Sequence, residues 1–459
     1  MRNFYYILFL FLTNCTFLGL IPELNQVTND PKIEAQILEE TNLHPFAIWQ
    51  GLTTSSTTNI KILAKKMDKI YFKVFENEKE IKTINQERVD AGTTDYAVYK
   101  LEISKLSINT NYTFQVFKDL QIIDQRNFQT VDLKSKTAKI GVLSCTHDIY
   151  RDIQFKMWND YLKQDPTYTF MIGDNVYADT LLPSKDKIFN FKHATEPMLW
   201  KRYVETFNIL SYYRIARLVP TLAIWDDHDY GFNNGDQSYP YKKESLKVFE
   251  TFYGSRSVPQ ITEKLAGAGY IFNAFDQRFI FSDGRTFRSE PKKIKQMASK
   301  TPDKESESHW GKDQTSKILR SMTIEKPTWI IKGDQFFGKY HTFESFEVNH
   351  PNDFKNFLAE LKKVKSKAFF VSGDRHLNEL MKIDSNETGY ETYELTSSAM
   401  HAAVFPNAWK KNPNPRQIFG ASGVHNYSIV EIKSSSPWQM KVLSYGPKMK
   451  ILYQQDLNF

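Results

Sequence analysis

Four short polar clusters in the chain hold residues able to bind metal ions: Ser144-Cys145-Thr146-His147, Gly173-Asp174-Asn175-Val176-Tyr177-Ala178-Asp179, Asp226-Asp227-His228-Asp229 and Gly373-Asp374-Arg375-His376. Each follows a short apolar run that reads as a β-strand: Ile140 to Ser144, Tyr168 to Ile172, Thr221 to Trp225 and Ala368 to Ser372. A Gly-Asp after a strand is by itself an ordinary turn. In open α/β sheets, however, the carboxyl ends of strands converge on one crevice, so four such clusters are expected to build one site. If Cys145, Asp174, Asp227, Asp374 and Tyr177 all point inward, the acids repel one another and hold protons unless cations share the space. Carboxylate, imidazole and thiolate together suit a transition metal in one position and permit a harder, oxygen-preferring ion beside it. Two or more metal ions are therefore expected.

The elements that must position these clusters fall into two regions. From His44 to about Leu133 the chain is a string of short alternating segments, such as Asn59 to Ala64, Lys69 to Val74, Asp95 to Leu101 and Asn111 to Val116, which predicts a β-sandwich over 44–134. Lys134 to Thr137 reads as a linker. Over 138–459 apolar strands, among them Arg278 to Ser282 and Thr328 to Ile331, alternate with helical stretches at Ile153 to Leu162, Met198 to Ile209, Lys243 to Tyr253 and Asp353 to Val364. That alternation predicts an α/β domain, and the closing strands at Tyr427 to Ile432, Gln439 to Ser444 and Lys450 to Gln454 imply more than one sheet. Trp200, Tyr203, Tyr212 and Tyr213 read as core, and Pro291 to Trp310 as a polar surface insertion.

With 459 residues, 41% hydrophobic and 25% charged, the chain can bury a large core, which excludes a disordered or fibrous protein. The balance of +7 is spread along the length without a basic patch, so no nucleic-acid partner is implied. Arg2 followed by the apolar run Phe4 to Leu12 reads as a signal peptide within residues 1–20, too short to span a bilayer. Leu12-Thr13-Asn14-Cys15 resembles a bacterial lipoprotein signal, and ordinary cleavage further on is the alternative. Export to the periplasm, the cell surface or a lipid anchor in the membrane is the expectation. Cys145 is then the one remaining thiol in an oxidising compartment, either buried and inert or held by a metal.

The clusters resemble those of the alkaline phosphatase D (PhoD-like) family of the calcineurin-like metallophosphoesterase superfamily. The resemblance rests on Ser144-Cys145, on Gly173-Asp174 with Tyr177-Ala178-Asp179, on the run from Val219 to Gly231, on Ser372 to His376, and on Asp283-Gly284-Arg285-Thr286-Phe287-Arg288. It implies an N-terminal immunoglobulin-like or fibronectin III-like sandwich followed by a calcineurin-like αββα domain. It further implies that Asp174 bridges two metals, with Cys145 and Tyr177 on the side of an Fe(III) ion, Asp227 on a Ca(II) or other divalent ion, and Asp374 and His376 as further ligands. His228 would face the transferring phosphate or the leaving oxygen. The implied reaction is in-line attack of a metal-bound hydroxide on a phosphomonoester or phosphodiester. Arg285 would neutralise charge on the phosphate oxygens, Arg288 and Arg375 would contact substrate, and Asn233 and Asp236 are candidates for a calcium-like ion. A structural salt bridge is the plainer reading of either Arg285 or Arg288. His147 could simply cap the following helix, and His193, His341, His350, His401 and His425 read as scattered structural residues. The rival reading is a non-catalytic, metal-stabilised surface binding protein.

Overall fold

The structure is a computed structural model of the chain that describes residues 30–180, 192–254, 262–290, 308–339, 344–408 and 413–459. The leader and the lipoprotein signal lie outside these residues. Helix α1 (Pro31–Leu43) starts where the side chain of Asp30 accepts the Lys32 N–H and Pro31 takes the first turn, and it buries Ile33 and Ile37 against Phe155.

Eight strands follow: β1 (Ala47–Thr53), β2 (Thr57–Lys65), β3 (Ile70–Glu76), β4 (Lys79–Ile81), β5 (Ile84–Asp90), β6 (Tyr96–Ser104), β7 (Asn111–Lys118) and β8 (Gln121–Gln129). They form two antiparallel sheets, ordered β1-β2-β6-β5 and β4-β3-β7-β8. Alternate side chains point between the sheets, so Ile60, Ile62, Leu101 and Ile103 from one meet Val74, Phe114, Val116 and Phe128 from the other in a shared core. Strand β1 is buried on both faces: Ile48 joins that core, while Trp49 points the other way. The Trp49 ring lies 4.5 Å from Phe207, and its Nε1 donates to the Phe252 carbonyl at 2.7 Å, which fastens the N-terminal sheets to the rest of the chain.

The remainder contains β9 (Ala138–Leu143), β10 (Tyr168–Ile172), β11 (Thr221–Ile224), β12 (Thr262–Lys264), β13 (Tyr270–Ala274), β14 (Gln277–Phe281), β15 (Thr328–Ile331), β16 (Ala368–Ser372), β17 (Leu377–Ile383), β18 (Thr392–Ser397), β19 (Gln417–Ser422), β20 (Tyr427–Ser435), β21 (Trp438–Gly446) and β22 (Lys450–Asn458). One mixed sheet runs β11-β10-β9-β20-β21-β22 and a second runs β12-β13-β14-β15-β16-β18-β17-β19. The two pack face to face: Phe170 of β10 lies 5.2 Å from Phe279 and 5.0 Å from Phe281 of β14. The alternate residue, Thr169, points outward to the hydroxyls of Tyr161 and Tyr212, where α2 (Arg151–Leu162) and α3 (Glu196–Ile209) cover the first sheet. The outer face of the second sheet is covered by Ile318, Phe354 and Phe357 of two further helices. Two sheets between two helical layers bury a core large enough to hold charged strand ends rigidly. Trp200, Tyr203, Tyr212 and Tyr213 lie in that core.

Most of the expected insertion, 291–307, lies outside the described residues, but its end is not a surface segment. His309 and Trp310 are fully buried, with Trp310 packed on Phe346 and Phe357. The polar composition upstream obscured an apolar anchor.

Candidate metal centre

The candidate ligands sit where strands β9, β10, β11 and β16 end. The chain turns sharply there. Cys145 (φ 58), Asp174 (φ 52), Asp374 (φ 60) and His376 (φ 52) all occupy the left-handed region, which ordinary side chains adopt only at a cost of about 1 kcal/mol or more each. Four strained non-glycine residues at three strand ends mark a site that the surrounding packing overrides local preference to build. Glycine is needed beside them: a Cβ on Gly173, itself at φ 105, would meet the Asp226 Cβ at 2.6 Å, and one on Gly373 would meet the Ser144 Oγ at 2.5 Å. The close approach of strand ends from both sheets is what brings the clusters together.

Three sets of ligand atoms lie within 4.8 Å of one another: Cys145, Asp174 and His376; Asp174, Asp227 and His228; and Asp174, Asp226, Asp227 and Asp374. Asp174 is common to all three. The first set joins thiol, carboxylate and imidazole, and the third is all carboxylate. His376 hydrogen-bonds through Nδ1 to the Ala403 carbonyl, which leaves Nε2 as the basic atom. The Cys145 Sγ stands 3.4 Å from the Asp174 Oδ2 and 3.0 Å from the Ser398 Oγ. Tyr177 is buried with its hydroxyl lacking a hydrogen-bond partner, and its ring is stacked on His228 at 4.2 Å and meets the His147 ring edge-on at 4.1 Å.

Charge at this site is out of balance. Burial, then the charges of Asp227 and Cys145, push the Asp174 carboxyl well above the usual range. Burial, then Glu344 and Asp227, push Asp374 up to about 7. Burial, then Asp374, push the Cys145 thiol up to about 12. Burial also raises Tyr177, and the neighbouring Cys145 and Asp174 raise it further. Burial opposes charge on Asp227 too, yet His228 and Arg285 outweigh it and hold its carboxyl below the ordinary value. Groups that resist deprotonation here lose that resistance beside a multivalent cation, and an orphaned buried phenol joined to thiol, imidazole and carboxylates fits such a cation.

His228 is held differently. Its Nδ1 lies 2.8 Å from the Asp179 Oδ1, while the other Asp179 oxygen accepts the Asn233 N–H at 2.9 Å. Burial opposes protonation of His228, but Asp179, Asp227 and Asp174 outweigh it and the imidazole is raised well above its ordinary value. Asp229 accepts the backbone N–H groups of Asn175, Val176 and Asp226 at 2.8, 3.0 and 2.9 Å, which ties the loop after β10 to the turn after β11. Arg202 of α3 binds both oxygens of Asp148 at 2.7 and 2.8 Å and donates its Nε–H to the Tyr177 carbonyl at 3.2 Å. It thereby couples the loop carrying Cys145 to the loop carrying Asp174.

Beside the centre lies a network in which buried charges of both signs are paired. Arg285 donates from Nε to the Asp226 Oδ1 at 2.5 Å and from Nη2 to Glu344 at 2.9 Å. Arg288 reaches both Glu344 oxygens at 3.1 and 3.2 Å, and Lys332 reaches Asp334 at 2.6 Å. Both guanidinium groups are fully buried, and Arg288, expected to contact substrate or to form a structural salt bridge, stands in an ion pair with Glu344. Arg285 stands between the network and the acids, with its Nη1 lacking a hydrogen-bond partner. Arg375 adjoins the centre, its Nη1 4.0 Å from the Asp374 Oδ2.

The structure thus brings together Cys145, Asp174, Asp227, His228, Asp374 and His376, with Tyr177 against them. Asp236 is in none of these ligand sets: its carboxylate instead accepts the Ser238 N–H at 2.8 Å, the Asn233 N–H binds Asp179, and the Asn234 N–H binds Asp227 at 2.6 Å. His147 caps no helix, and both its ring nitrogens are buried without a hydrogen-bond partner. His341 lies outside the described residues. Sequence reasoning passed over Asp179, Asp226 and Asp229 although each stood inside a quoted motif, and it had no signal for Glu344, Arg202 or Ser398, which arrive through tertiary packing.

The fold has counterparts among solved structures. The structure of PhoD matches with a TM-score of 0.66 over 89% of this chain and 91% of its own length, at 14% identity. This chain resembles PhoD in fold. A purple acid phosphatase from yellow lupin (Lupinus luteus) seeds matches with a TM-score of 0.59 over 90% of this chain and 74% of its own, at 12% identity. No protein-family model matches the sequence, and no curated protein matches it. The likeness to PhoD and to the lupin phosphatase is one of fold and extends over about nine-tenths of this chain.

Proposed function

We propose that the protein is a metal-dependent phosphoesterase that hydrolyses phosphate monoesters, diesters or both. The observation that carries this reading is the convergence of Cys145, Asp174, Asp227, Asp374 and His376 at strand ends of a fold shared with PhoD and a purple acid phosphatase. Asp174 would be common to two ions. Cys145, Tyr177 and His376 would complete a site suited to a trivalent iron, and Asp227 and Asp374 one suited to calcium or another divalent ion. Bound cations would supply positive charge for the phosphate oxygens and lower the pKa of a water that attacks in line.

The chain's own residues do the rest. His228, kept protonated by Asp179, faces the charge that builds on the leaving oxygen and can donate a proton to it. Arg285 adds fixed positive charge at the edge of the centre, and Arg375 stands where it can contact the group beyond the scissile phosphate. The sheet order β1-β2-β6-β5 against β4-β3-β7-β8 supports reading 44–134 as an immunoglobulin-like or fibronectin III-like module and 138–459 as the catalytic unit. Among the described residues no helix is long and apolar enough to cross a membrane. We read Arg2 to Cys15 as an export signal.

Protein purified without chelators, analysed for bound metals and visible colour and assayed with aryl phosphate mono- and diesters, tests the reading. The expected result is colour from a ferric tyrosinate together with turnover, the turnover being lost in Asp174→Ala and His228→Ala. Colour without turnover would establish the binding-protein reading, and turnover that survives Asp174→Ala would remove the proposed centre.

A further inference from the structure

Two turns at one end of the β4-β3-β7-β8 sheet carry the two most exposed large apolar side chains among the described residues. Met67, between β2 and β3, is 83% exposed and Leu120, between β7 and β8, is 86% exposed. Strand register brings them together: Ile70 pairs with Lys118, so the residues before β3 adjoin those after β7, and the Lys118 Nζ reaches Asp68 at 3.2 Å. From this tip an apolar row crosses three strands, with Tyr71 opposite Phe117 and Phe117 opposite Ile122. The Tyr71 and Phe117 rings stack at 4.9 Å and 10°, and both Tyr71 and Ile122 are exposed.

The hairpin tip is costly to its own fold. Asp119 and Leu120 both have positive φ, 49° and 67°, in a two-residue loop where Asn-Gly is the strain-free choice. A leucine there is strained and also presents its side chain to water, and neither the turn nor the core gains from it. That leaves a contact outside the chain. The two turns hold Lys65, Lys66, Lys69 and Lys118 against Asp68 and Asp119; the Lys66 Nζ donates to the Gly92 carbonyl at 3.0 Å and Lys118 pairs with Asp68, so exposed Lys65 and Lys69 carry the rim's charge. A second copy of this chain would set lysines against lysines across a two-fold axis. An anionic lipid surface meets both features at once, because aliphatic tips enter the acyl boundary while the ammonium groups lie among headgroup phosphates.

We propose that the tip formed by Met67 and Leu120, with its lysine rim, docks the protein on the anionic face of a lipid bilayer. This proposal does not depend on the metal centre. Its test uses the full chain carrying Cys15→Ser, so that no attached lipid contributes, and co-sedimentation with vesicles of phosphatidylcholine with or without phosphatidylglycerol. Binding is expected with phosphatidylglycerol and should weaken as salt rises. Leu120→Gly should lower vesicle affinity by ~10-fold or more. Its melting temperature should not fall, since glycine relieves the turn. Met67→Ser, at a position without positive φ, should weaken binding in the same direction, and Lys65→Glu with Lys69→Glu should abolish the salt dependence. Vesicle binding equal to that of the parent chain in both apolar variants would overturn the proposal. So would binding indifferent to phosphatidylglycerol, or a dimer in sedimentation velocity that Leu120→Gly dissociates while vesicles go unbound.

Discussion

Two buried charged regions lie side by side in this molecule and solve opposite problems. Around Arg285, Arg288 and Lys332, three cations face Asp226, Asp334 and Glu344, and the pairing holds Glu344 down at about 2 against the burial that would raise it. A few ångströms away Asp174 and Asp374 are both raised, because burial and neighbouring negative groups act on them without enough positive charge to answer. In the first region each cation has a carboxylate partner, and Asp226, paired with Arg285, also belongs to the all-carboxylate ligand set. The second lacks that pairing, and the difference marks it as the candidate metal centre where residue types alone would not.

The contrast can be broken in four ways. Asp174→Ala removes the carboxylate shared by all three ligand sets, and it should strip bound metal and cut phosphoesterase turnover by about 10^3-fold or more, read by elemental analysis and aryl phosphate kinetics. Glu344→Gln leaves Arg285 with Asp226 and Arg288 with the more distant Asp334 as their remaining carboxylate partners, and should cost about 3–5 kcal/mol in urea unfolding while metal stays bound. Metal loss without a stability loss in that variant would mean that the two regions are one. Asp179→Asn should lower kcat by ~10–100-fold at unchanged metal content, and the alkaline limb of the pH profile should move to lower pH as His228 loses the charge that keeps it protonated.

The smallest effect is a pH gradient in chelator-treated protein. Asp374 is raised to about 7 in the folded chain against 3.8 for an ordinary carboxyl, so between those values the native state holds the extra proton and stability falls as pH rises. The slope should be at most about 1.4 kcal/mol per pH unit, and saturating metal should remove it. Glu344 acts with the opposite sign, its contribution being present above 4.5 and lost as pH falls toward 2. Unfolding midpoints across pH 2–8 with and without metal would separate the two; a chelated protein that gains stability from pH 4 toward pH 7 would contradict the charge imbalance.

Much of the fold was legible in the chain because burial on both faces leaves continuous apolar runs. Tyr168 to Ile172, Thr328 to Ile331 and Ala368 to Ser372 were read with the bounds the structure has. Strands β17, β18 and β19 were not, since polar residues such as Asn378, Glu379 and Glu394 interrupt them; these are buried, with partners such as Ser428, Gln417 and the Phe336 N–H on other segments. The ligands were legible as Gly-Asp and Asp-His clusters at strand ends. Asp179 was visible in its motif without a role, because nothing local says that it meets His228 across 49 residues. The salt-bridge alternative for Arg288 had no local sign for the same reason: the carboxylates beside it come from residues 334 and 344.

Residue order by itself determined which stretches become strands and helices and which polar groups cap their ends, because periodicity and turn chemistry act over a few neighbours. Tertiary structure alone decided which charges meet. The left-handed backbone at Cys145, Asp174, Asp374 and His376 is paid for by packing between two sheets, and whether an arginine finds a carboxylate depends on segments more than fifty residues away, as for Arg285 with Asp226 and Glu344. Coulomb interactions depend on separation in space and on burial, and a linear sequence carries neither.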